Sequence, residues 1–125
     1  MELFDALKSF GADPDTAVRR LLGDMPLYRS LLKAFAEDED ILKLEKCLGR
    51  GDRKGAFHAV HNLKGGAATL SLTPLTKALS RLTDDLREEP ALPWEKDYGE
   101  FLDMLSQYEE ILTKCGLREK TGGMK

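Results

Sequence analysis

The chain has 125 residues, 42% of them apolar and 33% charged, with a net charge of −3. This length and composition fit one domain with a modest core, and the acidic balance offers no basic patch to nucleic acid. No apolar run approaches the roughly 20 residues of a membrane span. Glu2 and Asp5 stand where a secretory leader would be basic and then apolar, and two cysteines, Cys47 and Cys115, are too few for a disulfide framework. A cytoplasmic chain with no nucleic-acid or membrane partner is expected, with the domain over residues 1–116 and a frayed tail over 117–125.

Helical punctuation runs the length of the chain. Leu3, Phe4, Leu7 and Phe10 make a short amphipathic helix closed by Gly11, and Asp13-Pro14 opens a second that stops at Gly23. Asp24 is an N-cap, followed by an apolar face of Leu27, Tyr28, Leu31, Leu32 and Phe35. The acidic run Glu37-Asp38-Glu39-Asp40 can mark a bend or a fresh N-terminus. Ile41, Leu44, Cys47 and Leu48 continue the spacing, which favours one long helix to Gly49, kinked near the acidic run. Asp52 caps the next helix, which runs to about Leu70. Thr73-Pro74 reads as an N-cap followed by proline at the first helical position. Leu75, Leu79, Leu82 and Leu86 form that helix's stripe, and Glu89-Pro90 ends it. The last helix carries Tyr98, Phe101, Leu105, Tyr108, Leu112 and Cys115 and ends at Gly116. No stretch alternates like a strand. The expectation is an all-α chain, an antiparallel up-down four-helix bundle with the two short N-terminal helices capping one end.

The informative segment is His58-Ala59-Val60-His61-Asn62-Leu63-Lys64-Gly65-Gly66-Ala67-Ala68-Thr69-Leu70. At about 100° per residue, Ala56, Val60, Leu63, Ala67 and Leu70 fall on one side as a core stripe. His61 is two residues from Leu63, about 160° around the wheel, and must face outward. Lys64 is its neighbour one turn on and His58 its neighbour one turn back. Gly65 and Ala68 complete the same face with almost no bulk. A glycine inside a helix costs about 1 kcal/mol relative to alanine, so the pair Gly65-Gly66 implies a need for room. Steric access is the better reading for Gly65, while Gly66 divides evenly between access and close helix packing. An exposed imidazole with an adjacent ammonium and an open approach suits a nucleophile that accepts a phosphoryl group from another protein, because the product gains about two negative charges that a nearby cation favours. His58 and His61 as a metal pair lack further ligands nearby.

The pattern His61-Asn62-Leu63-Lys64-Gly65-Gly66-Ala67-Ala68 resembles that of the histidine-containing phosphotransfer (HPt) domains of two-component phosphorelays. Leu22-Gly23-Asp24 through Phe35 resembles the family's opening segment, Gly51-Asp52 precedes the histidine helix as it commonly does there, and Leu75, Leu79 and Leu82 match the following helix. The similarity spans roughly residues 12 to 115. Two positions depart from the pattern: Ser71 stands where many members have Gly, and Thr83 where many have Gln or Glu near the imidazole. The resemblance implies that His61 exchanges a phosphoryl group with an aspartate of a response-regulator receiver domain, with Lys64 stabilising its charge. His58, Gly65, Gly66 and Ala68 would belong to the docking face, and Thr83 could offer a shorter-reaching hydroxyl contact. Partners would be receiver domains and a sensor or hybrid histidine kinase. The chain itself would need no cofactor, the Mg²⁺ belonging to the receiver. With no nucleotide-binding segment, it would be a phosphocarrier without kinase activity of its own. The alternative is a helical adaptor of the same fold that docks these partners without carrying phosphate.

Overall fold

The computed structural model describes residues 2–87 and 92–118. Among these it is all-helical: α1 (Leu3–Phe10), α2 (Pro14–Arg20), α3 (Met25–Ala36), α4 (Glu39–Arg50), α5 (Arg53–Thr69), α6 (Thr73–Arg87) and α7 (Glu95–Lys114). The expected stop at Glu89-Pro90 lies outside the described residues, as does the expected tail over 117–125 apart from Leu117 and Arg118, which hold contacts with α7.

Aspartates start four of these helices. Asp13, Asp24, Asp38 and Asp52 each accept a backbone N–H of the following turn through the side chain, satisfying donors that have no partner within the helix. The N–H of Gly55 holds the Asp52 carboxyl below the usual range. A Cβ at Gly55 would fall 2.5 Å from Asp52 Oδ2 and 2.8 Å from Cys47 Sγ, so this cap requires glycine.

Two expected boundaries are corrected. The long helix from Asp24 to Gly49 is two helices, α3 and α4. Asp38 adopts an extended backbone, φ −64° and ψ 126°, and accepts the Asp40 N–H at 2.8 Å. The apolar spacing continues across this break because both helices face the same core, which is why periodicity alone favours continuity. Thr73 is the first residue of α6 instead of its cap, and Leu72 C=O receives the Thr76 N–H at 2.9 Å.

The core sits between α5 and its neighbours. α5 packs chiefly on α6 and α4, α6 packs on α7, and α1 and α3 close over α7. Leu32, Leu44, Leu63, Leu75, Leu79, Leu82, Phe101 and Leu112 are fully buried, each contributing about 1.5–3 kcal/mol by removal from water. Tyr108 is also buried and donates its hydroxyl to Leu32 C=O at 2.6 Å. This bond ties α7 to α3 and gives the buried Tyr108 hydroxyl an acceptor. Phe35 meets the Tyr108 ring edge-on at 5.9 Å. At the C-terminal end of α7, Leu117 folds back, donating its N–H to Leu112 C=O at 2.8 Å, and Arg118 pairs with Glu109 at 3.3 Å. Cys47 is a buried thiol outside any disulfide.

Candidate functional site

The small residues of α5 let it lie deep among its neighbours. Ala56, Ala59, Val60, Leu63 and Ala67 have no solvent exposure. The opposite face presents His58, His61, Gly65 and Ala68, all exposed, with Lys64 half-buried at its edge. The helical wheel therefore places these side chains correctly. Among the described residues, Lys64 forms no ion pair, so its ammonium remains available to an incoming anion one turn from His61.

The two glycines differ. A Cβ at Gly65 would meet nothing within 4 Å, whereas one at Gly66 would lie 3.4 Å from Phe35 Cδ1. Gly66 therefore also serves the approach of α3 to α5. It forms the floor of a shallow groove of about 240 Å³ beside the histidine face, walled by Leu31, Ala34, Phe35 and Thr69.

Thr83 is corrected as a phosphoryl contact. It has no solvent exposure, and its hydroxyl donates to Leu79 C=O one turn back at 2.7 Å. A short side chain at this position stays within the helix interface, where its hydroxyl must find a local acceptor.

Ser71 has a structural explanation. It adopts φ +54°, the left-handed conformation that ends α5, and Leu72 donates its N–H to Ala67 C=O at 2.9 Å. Glycine suits this position best. Here Arg20 of α2 reinforces the turn, its Nη1 lying 3.1 Å from Ala68 O, Thr69 O and Ser71 Oγ. A guanidinium on the last carbonyls of α5 also suits the negative end of the helix dipole.

Sequence reasoning missed the surroundings of the imidazole. The Phe57 ring lies parallel to the His61 ring, 14° between planes and 6.2 Å between centroids. His58 meets Phe57 edge-on at 5.9 Å, and the Arg87 guanidinium of α6 sits 6.0 Å from its centroid. Phe57 is four residues before His61, so the i, i+4 spacing was a usable signal. Arg20 and Arg87 carried none, because their contacts depend on how other helices pack.

Arg53 anchors the start of α5, donating to Asp85 C=O at 2.6 Å and Leu92 C=O at 3.5 Å. Beside it, burial and the neighbouring Asp97 carboxylate push the Asp85 pKa up to about 6. Among the described residues, no three His, Cys, Asp or Glu side chains converge as a metal site, and no helix is long and apolar enough to cross a membrane.

Among the described residues the chain is all-helical, and both imidazoles are exposed on α5. A family model described as the Hpt domain matches residues 29–111, and the chain belongs to that family. Hpt domains are phosphocarriers, serving histidine phosphotransfer in two-component phosphorelays and interacting there with response regulators and histidine kinases. No curated protein and no solved structure matches the chain.

Proposed function

We propose that His61 is the phosphoacceptor of a phosphorelay intermediate, taking a phosphoryl group from an aspartate of a receiver domain and returning it to one. The observation that carries this reading is the exposure of His61 on α5, inside the matched region, with Lys64 one turn away and in no ion pair among the described residues. In the forward step an unprotonated ring nitrogen of His61 forms the N–P bond as the P–O bond to the receiver carboxylate breaks. The electron pair leaves with that carboxylate, and the proton on the other ring nitrogen stays or passes to water. Lys64 stabilises the phosphoryl charge. Gly65 and Ala68 leave the approach open, and His58 with the Gly66 groove extends the docking face. The receiver brings its own Mg²⁺, and this chain carries no kinase activity of its own. We read the scaffold as an up-down four-helix bundle in the cytoplasm, with α3 and α4 together supplying the first long member and α1 and α2 covering one end.

Mixing a phosphorylated receiver with this protein tests the assignment. Acid-labile phosphate should appear on the wild-type chain and be absent from His61→Gln. Equal labelling of the variant would sink the assignment of His61. Binding of receivers without any labelling of the wild type would leave the adaptor reading in its place.

A further inference from the structure

The His61 imidazole sits against an aromatic ring that is itself held from two other directions. Phe57 is parallel to it within 14° at a centroid separation of 6.2 Å, inside the range of favourable aromatic pairs. The His58 ring meets Phe57 at 69° and 5.9 Å, and the Arg87 guanidinium approaches at 6.0 Å from α6. Phe57 is half-buried and packs against the core. Its ring is thus contacted by the core, by His58 and by Arg87, independently of the imidazole.

A surface histidine has a broad, roughly two-fold torsion about its Cβ–Cγ bond. In-line attack on phosphorus requires the ring nitrogen's lone pair to lie along the P–O bond that breaks, and misorientation is costly in rate. A platform parallel to the imidazole narrows that torsion before any partner arrives. We infer that Phe57 is a positioning residue for phosphoryl transfer through His61, holding the imidazole plane so that the receiver meets a pre-oriented nitrogen. This rests on the reading of His61 as the phosphoacceptor. Packing alone does not call for this geometry, since a leucine would cover the same edge of α5 without a planar face.

Transfer from a phosphorylated receiver, measured as the maximal rate and as the half-saturating receiver concentration, tests it. Phe57→Leu should lower the maximal rate roughly three- to tenfold. The half-saturating concentration and the thermal midpoint should stay close to wild type. Phe57→Tyr, which keeps the planar face, should restore the rate, and Phe57→Met should behave as the leucine variant does. In proton–carbon NMR spectra the His61 ring signals should shift in Phe57→Leu through loss of the neighbouring ring current, and hold in Phe57→Tyr. A wild-type maximal rate in Phe57→Leu overturns the inference. So does a change confined to the half-saturating concentration, which would make Phe57 a docking contact. A rate loss that follows the thermal midpoint and is not rescued by tyrosine overturns it as well. Failure of the wild type to label in the same assay removes the phosphoacceptor reading instead, and the NMR comparison then still reports whether Phe57 orients the ring.

Discussion

Arg20 reaches across from α2 to Ser71 at the end of the histidine helix, its Nη1 lying 3.1 Å from Ser71 Oγ and equally close to the carbonyls of Ala68 and Thr69. One side chain thereby closes the open end of α5 and compensates for a serine in a conformation that favours glycine. Arg20→Ala should lower stability by about 1 kcal/mol, the worth of a partly exposed hydrogen-bonded cap. Ser71→Val should lower it by about 1–2 kcal/mol, because a β-branched residue fits the left-handed region poorly. Ser71→Gly should stay within about 0.5 kcal/mol of wild type, relief of backbone strain offsetting the lost acceptor. Urea unfolding measures all three, and an unchanged Arg20→Ala would mean that the cap is unimportant.

Lys64 is half-buried but unpaired among the described residues, so its contribution should appear in the chemistry and not in the fold. Lys64→Ala should slow receiver-to-histidine transfer by about tenfold or more, the effect of one charge-assisted contact to a phosphoryl oxygen. Its thermal midpoint should hold. Lys64→Arg should retain part of the rate. A collapse of the midpoint in Lys64→Ala would instead make the residue structural.

Gly65 and Gly66 should separate function from packing. A Cβ at Gly65 meets open space, so Gly65→Ala should raise stability by about 0.5–1 kcal/mol through helix propensity. It should also slow transfer, because the methyl group enters the receiver's approach. Gly66→Ala should gain less, since Phe35 must yield slightly to a Cβ at 3.4 Å. Paired unfolding and transfer measurements decide the matter; a Gly65→Ala protein that is more stable and equally fast would show that the glycine is not kept for access.

Asp85 makes stability depend on pH in an unusual direction. Its pKa is pushed up to about 6 by burial first and then by Asp97, from an ordinary 3.8. The folded state therefore holds a proton that the unfolded state releases between these values. Its contribution is fully present below about pH 4 and is lost as pH rises through about 6. Asp85→Asn should stabilise the protein at pH 7 and flatten its stability profile between pH 4 and 6. Thermal unfolding across that range checks this; an unchanged slope in the variant would remove Asp85 as its source.

Much of the site was legible because helical geometry is local. Once Ala56, Val60, Leu63 and Ala67 were read as the inward stripe, the outward placement of His61, Gly65 and Ala68 followed from 3.6-residue periodicity, and burial agrees. The break at Asp38 was less legible. A cap and an interior acidic residue look alike when the apolar spacing continues on both sides, and the extended backbone of Asp38 is what distinguishes them. Thr83 shows a different limit: its position on α6 was readable, but whether its hydroxyl pointed to the site or into the core depended on how closely α6 packs.

Hydrophobic periodicity and capping act over a few residues, so the helices and an outward histidine–lysine face flanked by small residues could be read from the sequence. It also carried the motif that places the chain among Hpt domains. Helix packing in three dimensions is what brings Arg20 to the end of α5, Phe35 against Gly66, the Thr83 hydroxyl to Leu79 C=O, and Arg87 over the Phe57 ring that lies parallel to His61. These contacts join residues from different helices or turn on how closely those helices approach, and helix packing is set by the combined shape of all the buried side chains.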